Sequence, residues 1–236
     1  MSVKPILFKT KMVEAILDGQ KTQTRRLIKE IPLYEPYFEV YDGVPMACDS
    51  NGDWHLAQRF CNIQPGDILY VRETFCIGRV EYGEESDGRS VPYIEQCTDD
   101  DYYISKEWAL RNDVGIEDVI WKPSIHMPKD AARIFLRVKD VRAERLQEIT
   151  CQQAIAEGFP SRICGGVEFK YKTDDDKIHT QHGFEMCIFD FSLLWNSTIK
   201  PADLPIYGWE ANPWVWMIDF EHINARWAQD CQGIIC

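Results

Sequence analysis

The residues with the clearest chemical potential lie together near the N-terminus, in Asp18-Gly19-Gln20-Lys21-Thr22-Gln23-Thr24-Arg25-Arg26. A glycine that closes a helix frees the chain to turn sharply, and Lys21, Thr24 and Arg26 then supply an ammonium, a hydroxyl and a guanidinium in one short turn. Such a set can hold an anion or a nucleobase. It also has a plainer use, because basic residues after a C-terminal glycine complement the helix dipole. Three further groups qualify. His126 sits on a stretch bracketed by Pro123 and Pro128, where it can serve a site or simply be hydrogen-bonded. Arg133, Arg137 and Lys139 alternate with Ile134, Leu136 and Val138, which gives a strand one cationic face for nucleic acid or for solvent. Trp195, Trp209, Trp214 and Trp216 can stack bases, although strand periodicity favours the core.

These groups need elements to hold them. Pro5-Ile6-Leu7-Phe8 reads as a strand, followed by a helix capped by Thr10 with Met12, Val13, Ile16 and Leu17 on one face and Gly19 at its end. Thr22 to Leu27 reads as a turn leading into an extended segment. Residues 31–63 carry Tyr, Pro, Gly, Asp and Asn without a sustained period and predict an insertion of short strands and loops. Pro65-Gly66-Asp67 turns the chain into a buried strand, Ile68 to Val71, which ends at Glu73. Residues 77–120 read as a second, irregular insertion in which Val91-Pro92-Tyr93-Ile94 and Tyr102-Tyr103-Ile104 form a hairpin. Later come one helical turn over Pro128 to Ala132, the strand at 133–139, a helix capped at Ile149-Thr150, an amphipathic helix over 184–195 and a strand over 213–220. Strands outnumber the short, dispersed helices, which predicts an α+β chain built on a small β-barrel rather than a doubly wound sheet.

Composition limits what this chain can do. A net charge of −12 and a pI near 4.9 exclude a protein that coats nucleic acid by bulk electrostatics, so any such contact must be local. No apolar run approaches the roughly 20 residues of a membrane span, and Met1 to Lys11 carry no signal-peptide pattern, which predicts a cytoplasmic protein without a membrane partner. Nine cysteines without a CxxC pair predict free thiols, and His179-x-x-His182 with Cys187 falls short of a metal set. Neither cofactor nor metal is expected.

The turn at Gly19, Lys21 and Arg26 resembles the G-x-K-x-x-x-x-R signature of the ASCH domain family, relatives of the PUA fold. Pro65 to Leu69, the 133–139 strand and the strand near Trp214 fit the rest of that family's ladder. The resemblance covers residues 4–29, 64–75, 130–158 and 184–221, and the longer layout is similar to phage and prophage proteins with an ASCH-like core. It implies one ASCH/PUA-like domain over 1–222, with insertions near 31–63 and 77–120, and a tail over 223–236. In the family's small amidohydrolases acting on N4-acetylcytidine, a lysine, a threonine and a glutamate hold positions that fall here on Lys21, Thr24 and Glu73. The resemblance implies a lysine base that deprotonates the threonine hydroxyl, with the glutamate orienting the lysine or passing a proton to the leaving amine. Gly19, Arg26 and His126 would bind the substrate. The alternatives are a non-catalytic module holding RNA on Lys21, Arg26, Arg133, Arg137 and Lys139, and a phage accessory protein that binds a host protein.

Overall fold

Apolar spacing of three and four residues builds the first helix, whose Val13, Ala15 and Ile16 are buried, while the strands on either side of it, Val3–Leu7 and Gln23–Leu27, show no apolar alternation and are held by pairing with neighbouring strands. The computed structural model describes residues 1–28, 38–42, 44–49, 51–84, 89–97, 103–158, 168–172 and 178–223. In chain order the strands and helices begin with β1 (Val3–Leu7), α1 (Thr10–Leu17), β2 (Gln23–Leu27), β3 (Phe38–Tyr41), β4 (Val44–Cys48) and β5 (Trp54–Leu56). Next are β6 (Ile68–Arg72), β7 (Phe75–Glu84), β8 (Ser90–Gln96), β9 (Tyr103–Ser105), α2 (Lys106–Arg111) and β10 (Phe135–Arg145). The chain continues through α3 (Cys151–Ala156), β11 (Glu168–Lys172), β12 (Ile178–His182), α4 (Gly183–Thr198), α5 (Leu204–Tyr207) and β13 (Trp214–Ile223). The protein is thus mixed α+β with sheet predominating. Among the described residues no helix is long and apolar enough to cross a membrane.

The described residues pack as two units, the first drawn from 1–18, 67–137 and 222–223 and the second from 19–66 and 138–221. In the first, β6 lies between β1, which it pairs in parallel (Val3↔Ile68 to Leu7↔Arg72), and the start of β10, which it pairs antiparallel (Phe135↔Tyr70). Leu69, Val71 and Leu136 are fully buried here, each side chain stabilising the unit by about 1.5–3 kcal/mol relative to exposure. A separate three-stranded sheet in the order β8-β7-β9 has its own apolar cluster of Cys76, Ile94, Ile104, Ala109 and Val114, against which Trp108 and Trp121 pack. Gly78 lets β7 and β8 approach closely, because a Cβ there would lie 2.7 Å from the Glu95 carbonyl oxygen.

In the second unit β13 pairs antiparallel with β2 (Val215↔Leu27 to Asp219↔Gln23) and neighbours the later part of β10. Leu146, Ile149, Ala154, Cys187, Phe191, Trp195 and Val215 form the core, and Cys187, Phe191 and Trp195 recur every fourth residue along α4. β3, β4 and β5 make an antiparallel sheet of their own, and β11 pairs with β12.

Several expectations need correction. In neither unit do the described strands close into a barrel. The N-cap of α1 is Lys9, with Thr10 already helical. Ile94 and Ile104 do not belong to one hairpin, since β8 and β9 flank β7 on opposite sides. The described part of the 77–120 segment is regular, and its burial does not alternate: β7 is buried over Phe75–Gly78 and then opens, and β8 buries Ile94 alone. The tail beyond Ile223, the acidic runs at 99–101 and 174–176, Cys164 and the opening of the 31–63 insertion lie outside the described residues.

Candidate functional site: two buried ion networks

The Lys21 turn is anchored within the second unit by its backbone. Thr22 N–H donates to the Ala156 carbonyl at 2.8 Å and the Thr22 carbonyl accepts from Phe220 N–H at 2.9 Å, which fixes the turn to the end of α3 and to β13. α3 is itself set by a capping box in which Gln153 N–H donates to Thr150 Oγ1 and Thr150 N–H to Gln153 Oε1. That geometry makes Glu157 the C-cap, whose carbonyl a helix leaves without an internal partner. Lys21 Nζ supplies it, donating to Glu157 O at 2.7 Å, to Glu157 Oε2 at 2.7 Å and to Gln23 O at 2.8 Å. Three acceptors match an ammonium's three donors.

Arg25 completes this network. Its Nη1 donates to Glu157 Oε1 at 3.2 Å, its Nη2 to Glu144 Oε1, and its guanidinium lies 5.9 Å from the centre of the Phe191 ring. Lys21 and Arg25 are 3% and 4% exposed, so two cations face two carboxylates almost out of reach of water. Burial holds the Lys21 amine below its ordinary pKa, with the Glu157 carboxylate pulling it back up. Arg26, half-buried, is likewise lowered by burial. Thr24 is buried opposite Ile218 and is not one of the three acceptors just described.

Glu73 belongs to the first unit and to a different network. The chain leaving β6 is held by Arg72 Nε donating to the Met127 carbonyl at 2.8 Å, while Glu73 N–H approaches Met127 Sδ at 3.1 Å. Arg133 grips the Glu73 carboxylate with both Nε (3.0 Å to Oε1) and Nη2 (2.8 Å to Oε2), and Nη2 also donates to Glu107 Oε2. Glu107 stands in the first turn of α2, where Ser105 Oγ caps the helix by accepting from Trp108 N–H at 3.0 Å. Its other oxygen accepts from Arg111 Nε at 2.6 Å, and Arg111 extends the chain of charges to Asp18. Burial raises the pKa of Glu73, the Arg133 guanidinium opposes that shift, and the neighbouring Glu107 carboxylate adds to it.

The two networks differ in their openness. Arg133 is one-third exposed at its side chain, and it lines a cavity of about 570 Å³ together with Arg79, Glu81, Tyr103, Ser105 and Trp108. That volume lies inside the roughly 300–1,000 Å³ range of small-molecule pockets. Arg133 Nη1 takes part in none of the bonds to Glu73 and Glu107, which leaves two N–H donors on a guanidinium fixed at the cavity wall.

Of the residues picked out in sequence, Lys21 and Thr24 therefore fall in one unit and Glu73 in the other. Gly19 is exposed with a left-handed φ of 71°, and His126 is exposed in a 3-10 turn over Ser124–His126. Arg137 is half-buried opposite Ile68, and Lys139 is exposed. Trp195 donates through Nε1 to the Tyr207 carbonyl at 2.8 Å inside the core, and Trp216 is buried. His179 and His182 lie on β12, whose side chains are outside those described, and no metal-holding group of three or more His, Cys, Asp or Glu occurs among the described residues.

Sequence reading missed Glu107, Ser105, Trp108, Glu144 and Glu157. Glu107 and Arg111 at a spacing of four, and Thr150-x-x-Gln153 ahead of Glu157, were the available signals. Together the fold and the networks define a sheet-rich α+β protein with one sealed and one open charge cluster. Family models, curated proteins and solved structures were each compared with the chain, and none matches it.

Proposed function

We propose that the chain is an ASCH/PUA-like protein that binds a nucleoside in the cavity of its first unit. The observation that carries this reading is Arg133. Two buried carboxylates hold its guanidinium in place beside Tyr103 and Trp108, with Nη1 left to donate to a ligand acceptor. Aromatic rings offer a face to a base whatever its sequence, and a fixed guanidinium reads the acceptor edge of a heterocycle. Acid surrounds the cation: Glu73, Glu107 and Glu81 offset Arg133 and Arg79, which favours a neutral base over a phosphate. The Gly19, Lys21 and Arg26 signature supports the family assignment.

Titration with cytidine, N4-acetylcytidine and cytidine monophosphate by calorimetry tests the reading. Saturable binding of the nucleosides, weakened by Arg133→Lys, is expected. Absence of binding by all three at millimolar concentration overturns it.

A second reading, hydrolysis of an amide on such a nucleoside, is favoured by Glu73 alone: burial raises its pKa toward the range of a general acid for a leaving amine, while Arg133, bonded to both of its oxygens, opposes that shift. Lys21 meets half of its requirement as base, since burial lowers its pKa, while its three acceptors hold the charged form. Loss of the acetyl group from N4-acetylcytidine, followed by absorbance, decides this second reading. No turnover by folded, nucleoside-binding protein rejects hydrolysis and leaves binding intact.

A further inference from the structure

The small sheet of the second unit carries a surface that neither ion network uses. In an antiparallel sheet directly opposed residues share a face, and the pairs Glu39↔Met46, Tyr41↔Val44, Met46↔Leu56 and Cys48↔Trp54 place Glu39, Tyr41, Val44, Met46, Trp54 and Leu56 on one face. Ala47, on the opposite face, is 1% exposed, so that side is covered at the central strand, while Val40 at its edge is 55% exposed. The first face is open: Tyr41 is 78% exposed and Trp54 43%. Glu39, Tyr41, Met46 and Trp54 line a cavity of about 400 Å³.

We propose that this cavity binds an organic ammonium ion, a quaternary or methylated amine, between the Trp54 and Tyr41 rings with Glu39 as its counter-charge. The negative faces of indole and phenol attract a cation, and the attraction grows as the cation sheds water. Methylated nitrogen sheds water easily, and the Met46 thioether offers its methyl groups an apolar, polarisable wall. A metal ion would need several oxygen ligands, and the cavity supplies one carboxylate. An anion is disfavoured, because residues 38–56 contain Glu39, Asp42, Asp49 and Asp53 and neither lysine nor arginine. Asp49 is already held by His55 and by the Asn51 and Asp53 N–H groups, whereas Glu39 enters no ion pair among the described residues. A simple apolar docking face would have no use for a carboxylate in its lining.

The test uses the full chain with choline and with 3,3-dimethylbutan-1-ol, its uncharged isostere, followed by calorimetry and by the upfield ring-current shift of the methyl protons. Choline should bind saturably and at least about tenfold more tightly than the isostere. Trp54→Ala should abolish binding and Glu39→Gln should weaken it about tenfold, both with unchanged far-ultraviolet circular dichroism because the residues lie on an open face. Phosphatidylcholine vesicles as a second arm distinguish the source: sedimentation with vesicles places the ammonium on a lipid surface, and binding of choline without sedimentation places it on a free small molecule. Equal affinity for choline and the isostere, undiminished binding by Trp54→Ala, or no saturable binding of choline overturns the proposal. None of these outcomes bears on the first unit's cavity, which takes a different ligand.

Discussion

The two ion networks are built from the same residue types and do opposite things. Around Lys21 the charges are enclosed or nearly so: the side chains of Lys21, Arg25, Glu157 and Glu144 are 2%, 0%, 6% and 15% exposed, and the Arg25 Nε is buried without a partner. Around Arg133 only the acids are enclosed, with Glu73 and Glu107 at 2% and 1%, while the cations reach cavity and solvent at 33% and 45%. A closed network has spent its donors, the Arg25 Nε excepted, on its own chain and holds the fold together. A half-open one keeps a cation rigid and still able to donate. The difference teaches where to look for a ligand, since burial alone marks both clusters and only the orientation of the buried charge separates them.

The comparison breaks most visibly at Glu157. Glu157→Ala strands Lys21 and Arg25 without their shared carboxylate, and urea unfolding should show a loss of about 3–5 kcal/mol, with nucleoside affinity of the folded fraction unchanged. A loss below about 1 kcal/mol would mean the network is not closed. Arg133→Lys should do the reverse. It keeps the charge but loses the two-pronged grip on Glu73, so nucleoside affinity should fall about tenfold, roughly 1.4 kcal/mol, with a smaller change in stability.

pH separates the networks by sign. Lys21 has a folded pKa below its ordinary value of 10.5, so between the two values the unfolded chain binds more protons, and its contribution to stability should grow as pH rises toward 10.5. Glu73 has a folded pKa above its ordinary 4.5, so its contribution is complete below 4.5 and is lost as pH rises through the folded value. Urea midpoints of Lys21→Met and Glu73→Gln across pH should each lose one of these slopes, and a slope that survives its own mutation refutes the assignment. The smallest effect should come from Asp18→Asn, which removes only the exposed partner of Arg111 and should leave the urea midpoint where it was.

Much of this was legible in sequence where a single segment contains its own reason. The 3.6-residue spacing of α1, the turn at Gly19, the buried run Ile68 to Val71, the Thr150 cap and the strand at Trp214 all appear where periodicity and capping placed them. The turn left the burial of Lys21 open, since a base there would be sheltered and a phosphate-binding lysine exposed, and the structure has it 3% exposed. Its partner was not legible, because Glu157 is 136 residues away and only tertiary packing brings the end of α3 to that turn. The 77–120 segment was misread for a related reason: Cys76, Ile94, Ile104 and Ala109 form one core from four elements, and neither β7 nor β8 alternates in burial along its length. Arg133 was expected on an alternating strand over 133–139, but β10 begins at Phe135 and Ile134, Phe135 and Leu136 are all buried; its carboxylates lie 60 and 26 residues away, and they change its reading from a nucleic-acid contact to a fixed donor at a cavity wall.

The central claim, that the open network and not the closed one receives the ligand, is tested most directly by following backbone and side-chain amide resonances of the full chain during titration with N4-acetylcytidine. The account predicts saturable shifts concentrated at Arg79, Tyr103, Ser105, Trp108 and Arg133, with Lys21, Thr24 and Glu157 unmoved, and loss of those shifts in Arg133→Lys. Shifts centred on Lys21 and Thr24 that persist in Arg133→Lys would contradict it.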